Sequence, residues 1–320
     1  MSSRPALVLT AGLGTRLWPL TMVRAKPACP VAGVPLAERI LRQLSRQGVS
    51  NAVLNLHHLP ASLTSRIGDG SQWGLSVRYS WEATLLGSGG GPRHALSLLG
   101  SGAWFIVNGD TLCDVALGDL AACHQASGAL VTLAVVPRAY PQRYGGVLID
   151  DDDIVTGFVP RGDGRPAWHF VGIQIADAAA FSSLADGAPA ETVTGLYSDL
   201  VKNVPGAIRA WRTQGRFIDI GSLRDYLDAN LTLASAEATA VSAPGAGSRV
   251  ASGATVSDSV IWDDVEVGDG ARLDQCVVTD GVVVPAGSRF SRCVLVRAEA
   301  GASLRAACRL ADGLVVCPMD

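Results

Sequence analysis

Residues 6–21 read ALVLTAGLGTRLWPLT, a short apolar run followed at once by a glycine-containing loop. The apolar part, Ala6–Leu9, has the length and composition of a buried strand. Gly12 and Gly14 then stand two residues apart, and Arg16 follows them. Glycine permits close approach and backbone conformations closed to other residues, so such a turn can present N–H groups to a phosphate. The stretch predicts a phosphate-binding loop at a strand end, with a structural tight turn as the alternative.

Two common phosphate-binding fingerprints do not fit this loop. The Walker A pattern needs Gly-Lys-Ser/Thr at its end, which is absent here. The dinucleotide fingerprint needs a third glycine three residues after the second, where this chain has Leu17. The loop must therefore be interpreted with the residues around it.

Outward from the loop, residues 1–235 alternate short β-branched runs with helical stretches. This pattern predicts an α/β domain with a Rossmann-like, mostly parallel sheet and covering helices. Helices are expected at Pro35–Gln47 and at Ser222–Ala234, where Ser222 and Asp225 resemble a capping box. The predicted strands are Ala6–Leu9, Ala52–Leu56, Ser76–Ser80, Trp104–Val107, Leu130–Val136, Phe170–Ile175 and Ala207–Trp211.

Beyond residue 235 the pattern changes. Residues 236–249 are small and carry Gly, Pro and Ser, which predicts a linker. In residues 250–320, apolar residues recur every five to seven positions with small residues between them, which resembles the hexapeptide repeat of a left-handed parallel β-helix. A generic antiparallel β appendage is the alternative. The recurring positions are Val250, Val256, Ile261, Val267, Leu273, Val278, Val284, Phe290 and Leu295.

Composition narrows the function classes. The net charge is −3 and no run of Lys or Arg occurs, which argues against a general nucleic-acid surface. No apolar stretch reaches the ~20 residues that span a bilayer, and the N-terminus lacks a signal-peptide layout, so we expect a cytoplasmic protein without a membrane partner. The seven cysteines form no CxxC pair, so we expect reduced thiols and no zinc site.

Two aspartates follow predicted strands. Asp110 ends the run Phe105–Asp110, and Asp219 stands just before the helix that begins near Ser222. Ligands of open α/β sheets bind at the carboxyl ends of strands, so Asp110 is well placed for a metal. For each aspartate taken alone, a helix cap or a turn residue is an equal alternative.

Four neighbouring segments together resemble the signature of the sugar-1-phosphate nucleotidyltransferases, most closely the mannose-1-phosphate guanylyltransferases. They are the glycine loop at residues 12–16, called the first loop below, Pro19-Leu20-Thr21, Lys26-Pro27 and Gly33-Val34-Pro35-Leu36. The resemblance implies transfer of a nucleotidyl group from an NTP to a sugar-1-phosphate, giving an NDP-sugar and pyrophosphate. It implies catalytic roles for Arg16, Lys26 and Asp110, and Mg²⁺ held by Asp110 and Asp219. The implied nucleotide-binding residues are Leu9, Ala11, Gly12, Gly14, Thr15, Arg16, Glu82, Gly87, Ser88, Gly89, Asn108 and Gly109.

Glu82 precedes Gly87–Gly91, a stretch that resembles the second glycine loop of the family. A carboxylate can accept from both N1–H and N2–H of guanine, whereas uracil offers one donor between acceptors. This favours GTP over UTP, unless a backbone group reads the base and Glu82 lies at the pocket edge.

For the sugar phosphate, the resemblance implies a pocket in the middle of the chain. The usual glutamate-lysine-proline contact corresponds to Phe158–Arg161, where Pro160 supplies no carboxylate and leaves the sugar specificity open. Glu191 is our candidate for the missing acceptor. The implied sugar-phosphate-binding residues are Tyr144, Gly146, Arg161, Gly172 and Glu191.

The phosphate of a sugar-1-phosphate is largely a dianion at neutral pH, since its second pKa is roughly 6, so no general base is needed. The alternatives are an inactive regulatory paralogue that binds a nucleotide-sugar, and a bifunctional protein whose β-helix is an acyltransferase. The latter activity usually relies on a histidine, and none occurs after His169. We expect the β-helix to join subunits into a homo-oligomer.

Overall fold

The computed structural model describes residues 4–238, 243–298 and 305–319. Part of the predicted linker, residues 239–242, and residues 299–304 of the predicted β-helix domain lie outside the described residues. The helices are α1 Leu20–Val23, α2 Leu36–Arg46, α3 Pro60–Ile67, α4 Gly87–His94, α5 Leu96–Leu99, α6 Leu117–Ser127, α7 Tyr197–Asn203 and α8 Leu223–Ala236. The strands are β1 Ala6–Leu9, β2 Pro30–Val31, β3 Val34–Pro35, β4 Asn51–Leu56, β5 Ser76–Trp81, β6 Ala103–Asn108, β7 Thr111–Cys113, β8 Val131–Pro137, β9 Gly146–Ile149, β10 Val155–Val159, β11 Trp168–Asp177, β12 Ile208–Arg212, β13 Phe217–Asp219, β14 Arg249–Val250, β15 Thr255–Ser257, β16 Val260–Ile261, β17 Glu266–Val267, β18 Arg272–Asp274, β19 Val277–Val278, β20 Val283–Val284, β21 Arg289–Ser291, β22 Cys293–Arg297, β23 Arg309–Ala311 and β24 Leu314–Pro318.

The chain divides into two units that do not follow its linear order. The first unit combines residues 1–12 with 37–218, and the second combines 13–36 with 219–320. Most of the signature segment, Leu13–Leu36, therefore belongs to the same unit as the C-terminal repeat. The predicted domain boundaries at 235/236 and 249/250 stay predictions.

The first unit contains a nine-stranded sheet in the order β10-β9-β11-β6-β1-β4-β5, with β8 joining β11 to β12. Strands β6, β1, β4 and β5 run parallel, as do β8 and β12. The predicted α/β class is confirmed, and all seven predicted strands occur within two residues of their expected ends. Strand β11 runs antiparallel to β6, β8 and β9, a direction that the alternation of elements did not indicate. Burial of Leu7 and Ile106 at 0% exposure shows why continuous apolar runs were a reliable signal.

The second unit contains a parallel β-helix whose strands stack coil on coil, and the chain then ends in a hairpin in which β24 pairs antiparallel with both β22 and β23. Val250 pairs with Val267 and Val267 with Val284, so successive coils are offset by 17 residues. The register of β15, β18 and β21 and that of β16, β19 and β22 repeat the same offset on the other two faces. All nine recurring apolar positions belong to or pack against one core cluster, so the predicted repeat is confirmed and the antiparallel appendage is excluded for these coils.

Two further observations concern the cysteines and the membrane. Cys308 and Cys317 form a disulfide, so the expectation that all seven cysteines are reduced was wrong. The antiparallel pairing of β23 with β24 brings these two residues together, which a search for closely spaced cysteine pairs could not reveal. Within the described residues, no helix is long and apolar enough to cross a bilayer.

Candidate active site

The end of β6 meets the end of β1 in the first unit. The Gly109 N–H donates to the Leu9 carbonyl oxygen at 3.0 Å. A Cβ atom at Gly109 would lie 2.5 Å from that same oxygen, so only glycine fits where the ends of these two strands approach each other. Gly172, with φ of +82°, lies so close to Asn108 that a Cβ there would be 2.8 Å from Nδ2. Three predicted site residues, Leu9, Asn108 and Gly109, thus lie at the carboxyl ends of β1 and β6. Gly172 lies beside them in the middle of the antiparallel strand β11.

A buried polar chain links three parallel strands at the same edge. The Thr10 N–H donates to Asn55 Oδ1 at 2.6 Å, and Asn55 Nδ2 donates to Glu82 Oε1 at 2.7 Å. The other carboxylate oxygen of Glu82 accepts from the Leu86 N–H at 2.9 Å. Glu82 is 1% exposed, so in this arrangement it supports the second glycine loop, and reading a base would require these contacts to be given up. The role of Glu82 in base recognition stays a prediction.

The second glycine loop forms the start of α4 and packs against residues 190–192. The N–H groups of Gly89 and Gly90 both donate to the Ala190 carbonyl, and Ser88 Oγ donates to Glu191 Oε2 at 2.7 Å. Gly87 has φ of +76°, and a Cβ there would be 2.6 Å from Glu191 Oε1. The structure thus places the predicted nucleotide residues Gly87–Gly89 and the predicted sugar residue Glu191 side by side.

The predicted sugar segment forms an aromatic cluster. The Tyr144 ring lies 4.3 Å from that of His169 and 5.7 Å from that of Phe217, measured between centroids. Gly146 is buried between Ala167, Val159 and Arg138, where a Cβ would approach each within 3 Å. The predicted phosphate-binding residue Arg161 is exposed. Aromatic faces of this kind are suited to the apolar face of a sugar ring.

Arg138 organises the loop around this cluster. Its Nε donates to the Tyr144 carbonyl at 3.1 Å, and its Nη2 donates to the carbonyls of Pro141, Pro160 and Asp163 at 3.0–3.3 Å. One side chain therefore fixes both Tyr144 and Pro160, the residue that departs from the glutamate-lysine-proline pattern. No sequence pattern singled out Arg138, because two of the carbonyls that it binds, those of Pro160 and Asp163, are more than 20 residues away in the chain.

In the second unit, Arg16 and Asp219 meet at Gly221. A Cβ at Gly221 would lie 3.3 Å from Arg16 Nη1 and 3.0 Å from Asp219 Oδ2. Asp225 Oδ2 is on the same side, at 3.3 Å from that position. The Asp225 N–H donates to Ser222 Oγ at 3.1 Å, so the predicted helix cap is present and fixes the turn that presents Asp219. Arg16 is exposed, as a residue that contacts a ligand must be.

Lys26 lies against the first loop within the same unit. It is 6% exposed and begins a short 3₁₀ turn, Lys26–Ala28. Gly14, with φ of +61°, is packed so that a Cβ would be 3.0 Å from Lys26 Cβ and 2.7 Å from Thr21 Cγ2. The predicted loop residues Gly12 and Thr15 are exposed and Ala11 is buried. The glycine at 14 is therefore required both by its backbone conformation and by the approach of Lys26.

Two buried thiols next to predicted site residues are not nucleophiles. Burial raises the pKa of Cys29 to about 12, although the charges of Arg24 and Lys26 oppose it. Burial and the charge of Asp114 raise the pKa of Cys113 to about 12. Both thiols stay protonated at neutral pH, so neither can supply the thiolate that covalent catalysis requires.

The predicted metal ligands consist of carboxylates alone. Asp110 follows β6 and accepts from Thr111 Oγ1 at 3.2 Å. Among the residues that the structure describes, no group of three or more His, Cys, Asp or Glu could hold a metal. Mg²⁺ is commonly bound by one or two carboxylates together with substrate phosphates, so carboxylate ligands fit this ion better than they fit zinc.

Comparisons with known proteins identify the family to which this chain belongs. The profile of the nucleotidyl transferase family matches residues 5–236, and that of the GlmU-like C-terminal hexapeptide family matches residues 232–295. Mannose-1-phosphate guanylyltransferase of Mycobacterium tuberculosis is 35% identical over 161 residues, which is 50% of this chain and 45% of that protein. N-acetylmuramate alpha-1-phosphate uridylyltransferase of Neisseria meningitidis is 30% identical, over 68% of this chain and 93% of that protein.

A solved structure shares the fold. HddC from Yersinia pseudotuberculosis superposes with a TM-score of 0.63 at 23% identity, covering 72% of this chain and 99% of that one. The chain therefore spans less than half of the Mycobacterium relative and nearly all of the Neisseria relative and of HddC.

Proposed function

Because this chain belongs to the nucleotidyl transferase family, we propose that it transfers a nucleotidyl group from an NTP to a sugar-1-phosphate, releasing pyrophosphate. The observation that carries the proposal is the approach of both Arg16 and Asp219 to Gly221. We assign the cation to a phosphate of the substrate and the carboxylate to a metal ion. Both residues lie in segments that resemble the family's motifs.

The proposed chemistry is a direct displacement. An oxygen of the sugar phosphate forms a bond to the α-phosphorus of the NTP, and the bond from that phosphorus to the bridging oxygen of the β-phosphate breaks. The electron pair leaves with pyrophosphate. Because the attacking phosphate is already mostly dianionic, the protein has to align two anions and offset their repulsion rather than remove a proton.

The residues of this chain supply positive charge and backbone donors. Arg16 neutralises the leaving pyrophosphate, and Lys26 stabilises charge near the reacting phosphates. The first loop, through Gly12 and Gly14, lets backbone N–H groups approach the triphosphate. Asp110 and Asp219 are the proposed holders of Mg²⁺, which when bound offsets negative charge on the phosphates.

The proposal also names the nucleotide and the residues that contact the sugar phosphate. We favour GTP, as in the guanylyltransferase relative, and place UTP second, as in the uridylyltransferase relative. Tyr144, Gly146, Arg161, Gly172 and Glu191 are the proposed sugar-phosphate contacts. The presence of Arg16, Lys26, Asp110 and Asp219 favours an active enzyme over a regulatory paralogue.

The cellular location and the oligomeric state are further parts of the same proposal. A cytoplasmic location follows from the supply of NTP and sugar phosphates there. Homo-oligomerisation through the β-helix is supported by the match to the hexapeptide family. A strictly monomeric elution of the intact protein would contradict that part alone.

The test is a substrate panel. The protein is incubated with each of GTP, UTP, CTP, ATP and dTTP, paired with mannose-, glucose- and N-acetylmuramate-1-phosphate and Mg²⁺, and pyrophosphate is measured. We expect release that requires both substrates in at least one pairing, and its loss in Asp110→Asn with folding retained. Absence of release in every pairing would refute the reaction, and release with UTP alone would refute the preference for GTP.

A further inference from the structure

One buried arginine bonds the signature segment, Leu13–Leu36, to the β-helix. Arg24, two residues before Lys26, is 4% exposed. Its Nε and Nη2 donate to the two carboxylate oxygens of Asp280 at 2.7 and 2.6 Å. Nη2 also donates to Asp263 Oδ2 at 2.7 Å. Asp263 and Asp280 lie on successive coils of the β-helix, 17 residues apart, so two coils hold one guanidinium.

The surroundings of Arg24 restrict it to this position. Its Cζ lies 5.0 Å from the centroid of the buried Trp262 ring, which adds a cation–π contact. Burial would lower the pKa of Arg24, but the hydrogen bonds and charges of Asp280 and Asp263 outweigh it and raise the pKa above its ordinary value. A bidentate, desolvated arginine of this kind has few alternative geometries, and removing one partner would leave a buried charge.

A second set of hydrogen bonds holds the signature segment on the C-terminal side of Lys26. The Tyr226 hydroxyl donates to the Pro30 carbonyl and accepts from Trp262 Nε1 at 3.0 Å. Asn230 Oδ1 accepts from the Ala32 N–H at 2.9 Å. Trp262 therefore contacts Arg24 on one side and the residue that holds Pro30 on the other.

Lys26 lies between these two sets of contacts in the chain. Residues 24–31 are all buried, so the segment that carries Lys26 is enclosed by protein. The first loop depends on it in turn, since Gly14 packs against Lys26 and Thr21 Oγ1 donates to the Gly14 carbonyl at 3.3 Å. A displacement at Arg24 would thus be transmitted to Lys26 and to the loop that leads to Arg16.

We propose that Asp263 and Asp280 are positioning residues for nucleotidyl transfer: they hold Arg24, and through it the segment that carries Arg16 and Lys26. The inference rests on the proposed function for its catalytic consequence. It assigns the β-helix an intramolecular role that is separate from joining subunits.

The experiment compares the full-length protein with Asp280→Asn, Asp263→Asn and Arg24→Gln. Asp274→Asn is the matched control, because Asp274 is a β-helix carboxylate that accepts from Ser291 and has no described bond to residues 13–36. We expect kcat to fall at least 10-fold in Asp280→Asn with NTP KM changed less than 3-fold, and the losses in Arg24→Gln and Asp280→Asn not to multiply in the double variant. Unchanged kcat in correctly folded Asp280→Asn would overturn the proposal.

Amide hydrogen exchange measured by mass spectrometry separates this inference from the reaction itself. We expect exchange in residues 20–36 of Asp280→Asn to rise at least 10-fold, while residues 260–295 keep their protection. If no substrate pair reacts but exchange rises as expected, the proposed reaction fails and the anchoring stands. Equal acceleration in residues 260–295 would show general destabilisation of the β-helix and contradict a positioning role, as would the same exchange pattern in Asp274→Asn.

Discussion

Asn55 Nδ2 donates to Glu82 Oε1 across 2.7 Å inside the first unit, and both side chains are buried. Since Asn55 also accepts from the Thr10 N–H and Glu82 from the Leu86 N–H, this one bond joins the start of the first loop to that of the second. The pair gives the two glycine loops a common support. Each loop is then placed by the same three strands, β1, β4 and β5.

Replacing Glu82 with glutamine should weaken this support. An amide offers one acceptor where the carboxylate uses two, so an NH₂ group would face either the Asn55 or the Leu86 donor. We expect the free energy of unfolding to fall by about 1–3 kcal/mol, the cost of an unsatisfied buried donor. Urea unfolding measures this loss, and kcat/KM with GTP and UTP measures base choice. A changed GTP-to-UTP preference at unaltered stability would instead establish Glu82 as the base reader.

Gly109→Ala should disturb the close approach of the end of β6 to the end of β1. The added methyl would lie 2.5 Å from the Leu9 carbonyl oxygen, so the backbone must move, and we expect a loss of about 1–3 kcal/mol in the free energy of unfolding. Gly118→Ala is the matched control, because Gly118 lies in α6 with open space around it and should gain about 0.5–1 kcal/mol. Equal effects of the two changes would show that the close approach at Gly109 is not limiting.

His124 should make stability depend on pH. Burial lowers the pKa of His124 below its ordinary 6.5, with the charge of Asp177 opposing. The unfolded chain therefore binds a proton first as the pH falls, so the folded state loses stability from about pH 6.5 downward, and this term has no pH dependence above it. Urea unfolding from pH 8 to 5.5 should show the decline, and His124→Gln should flatten it. An identical slope in the variant would rule out His124 as its source.

The disulfide predicts a definite thiol count. Titration of denatured protein without reductant should give five thiols, and titration after reduction should give seven. Because the bridge closes a short loop between Cys308 and Cys317, its reduction should cost about 2–3 kcal/mol of stability in the C-terminal hairpin. Seven thiols in purified protein kept from reductant would mean that this bridge does not form.

Much of the fold was predictable because apolar periodicity reports burial directly. Ala6–Leu9 has the expected bounds, and Val267, Val278 and Val284 all point into the β-helix core. The antiparallel course of β11 was not predictable, since strand direction depends on pairing partners far away in the chain. The Cys308–Cys317 bridge was missed for a related reason, because the hairpin that creates it has no spacing signature.

The candidate site divides in the same way. Glycines of the motifs, such as Gly14 and Gly109, could be named from the sequence, but the atoms that exclude a side chain there could not. Asn55 has a recognisable signal in the sequence, because it is a polar residue near the end of the largely apolar strand NAVLNL. Arg24 and Arg138 have none, because an arginine in a polar or mixed segment is ordinarily a solvated cation.

The most direct test of the account follows the α-phosphate of the NTP. GTP or UTP labelled with radioactive phosphorus at the α position, or in a parallel reaction at the γ position, is incubated with the protein, Mg²⁺ and the sugar-1-phosphate that releases pyrophosphate. Direct displacement predicts that the α label appears in the nucleotide-sugar and the γ label in pyrophosphate, with both transfers lost in Arg16→Gln. Recovery of the γ label in a phosphorylated sugar, or of the α label only in free nucleotide, would contradict nucleotidyl transfer.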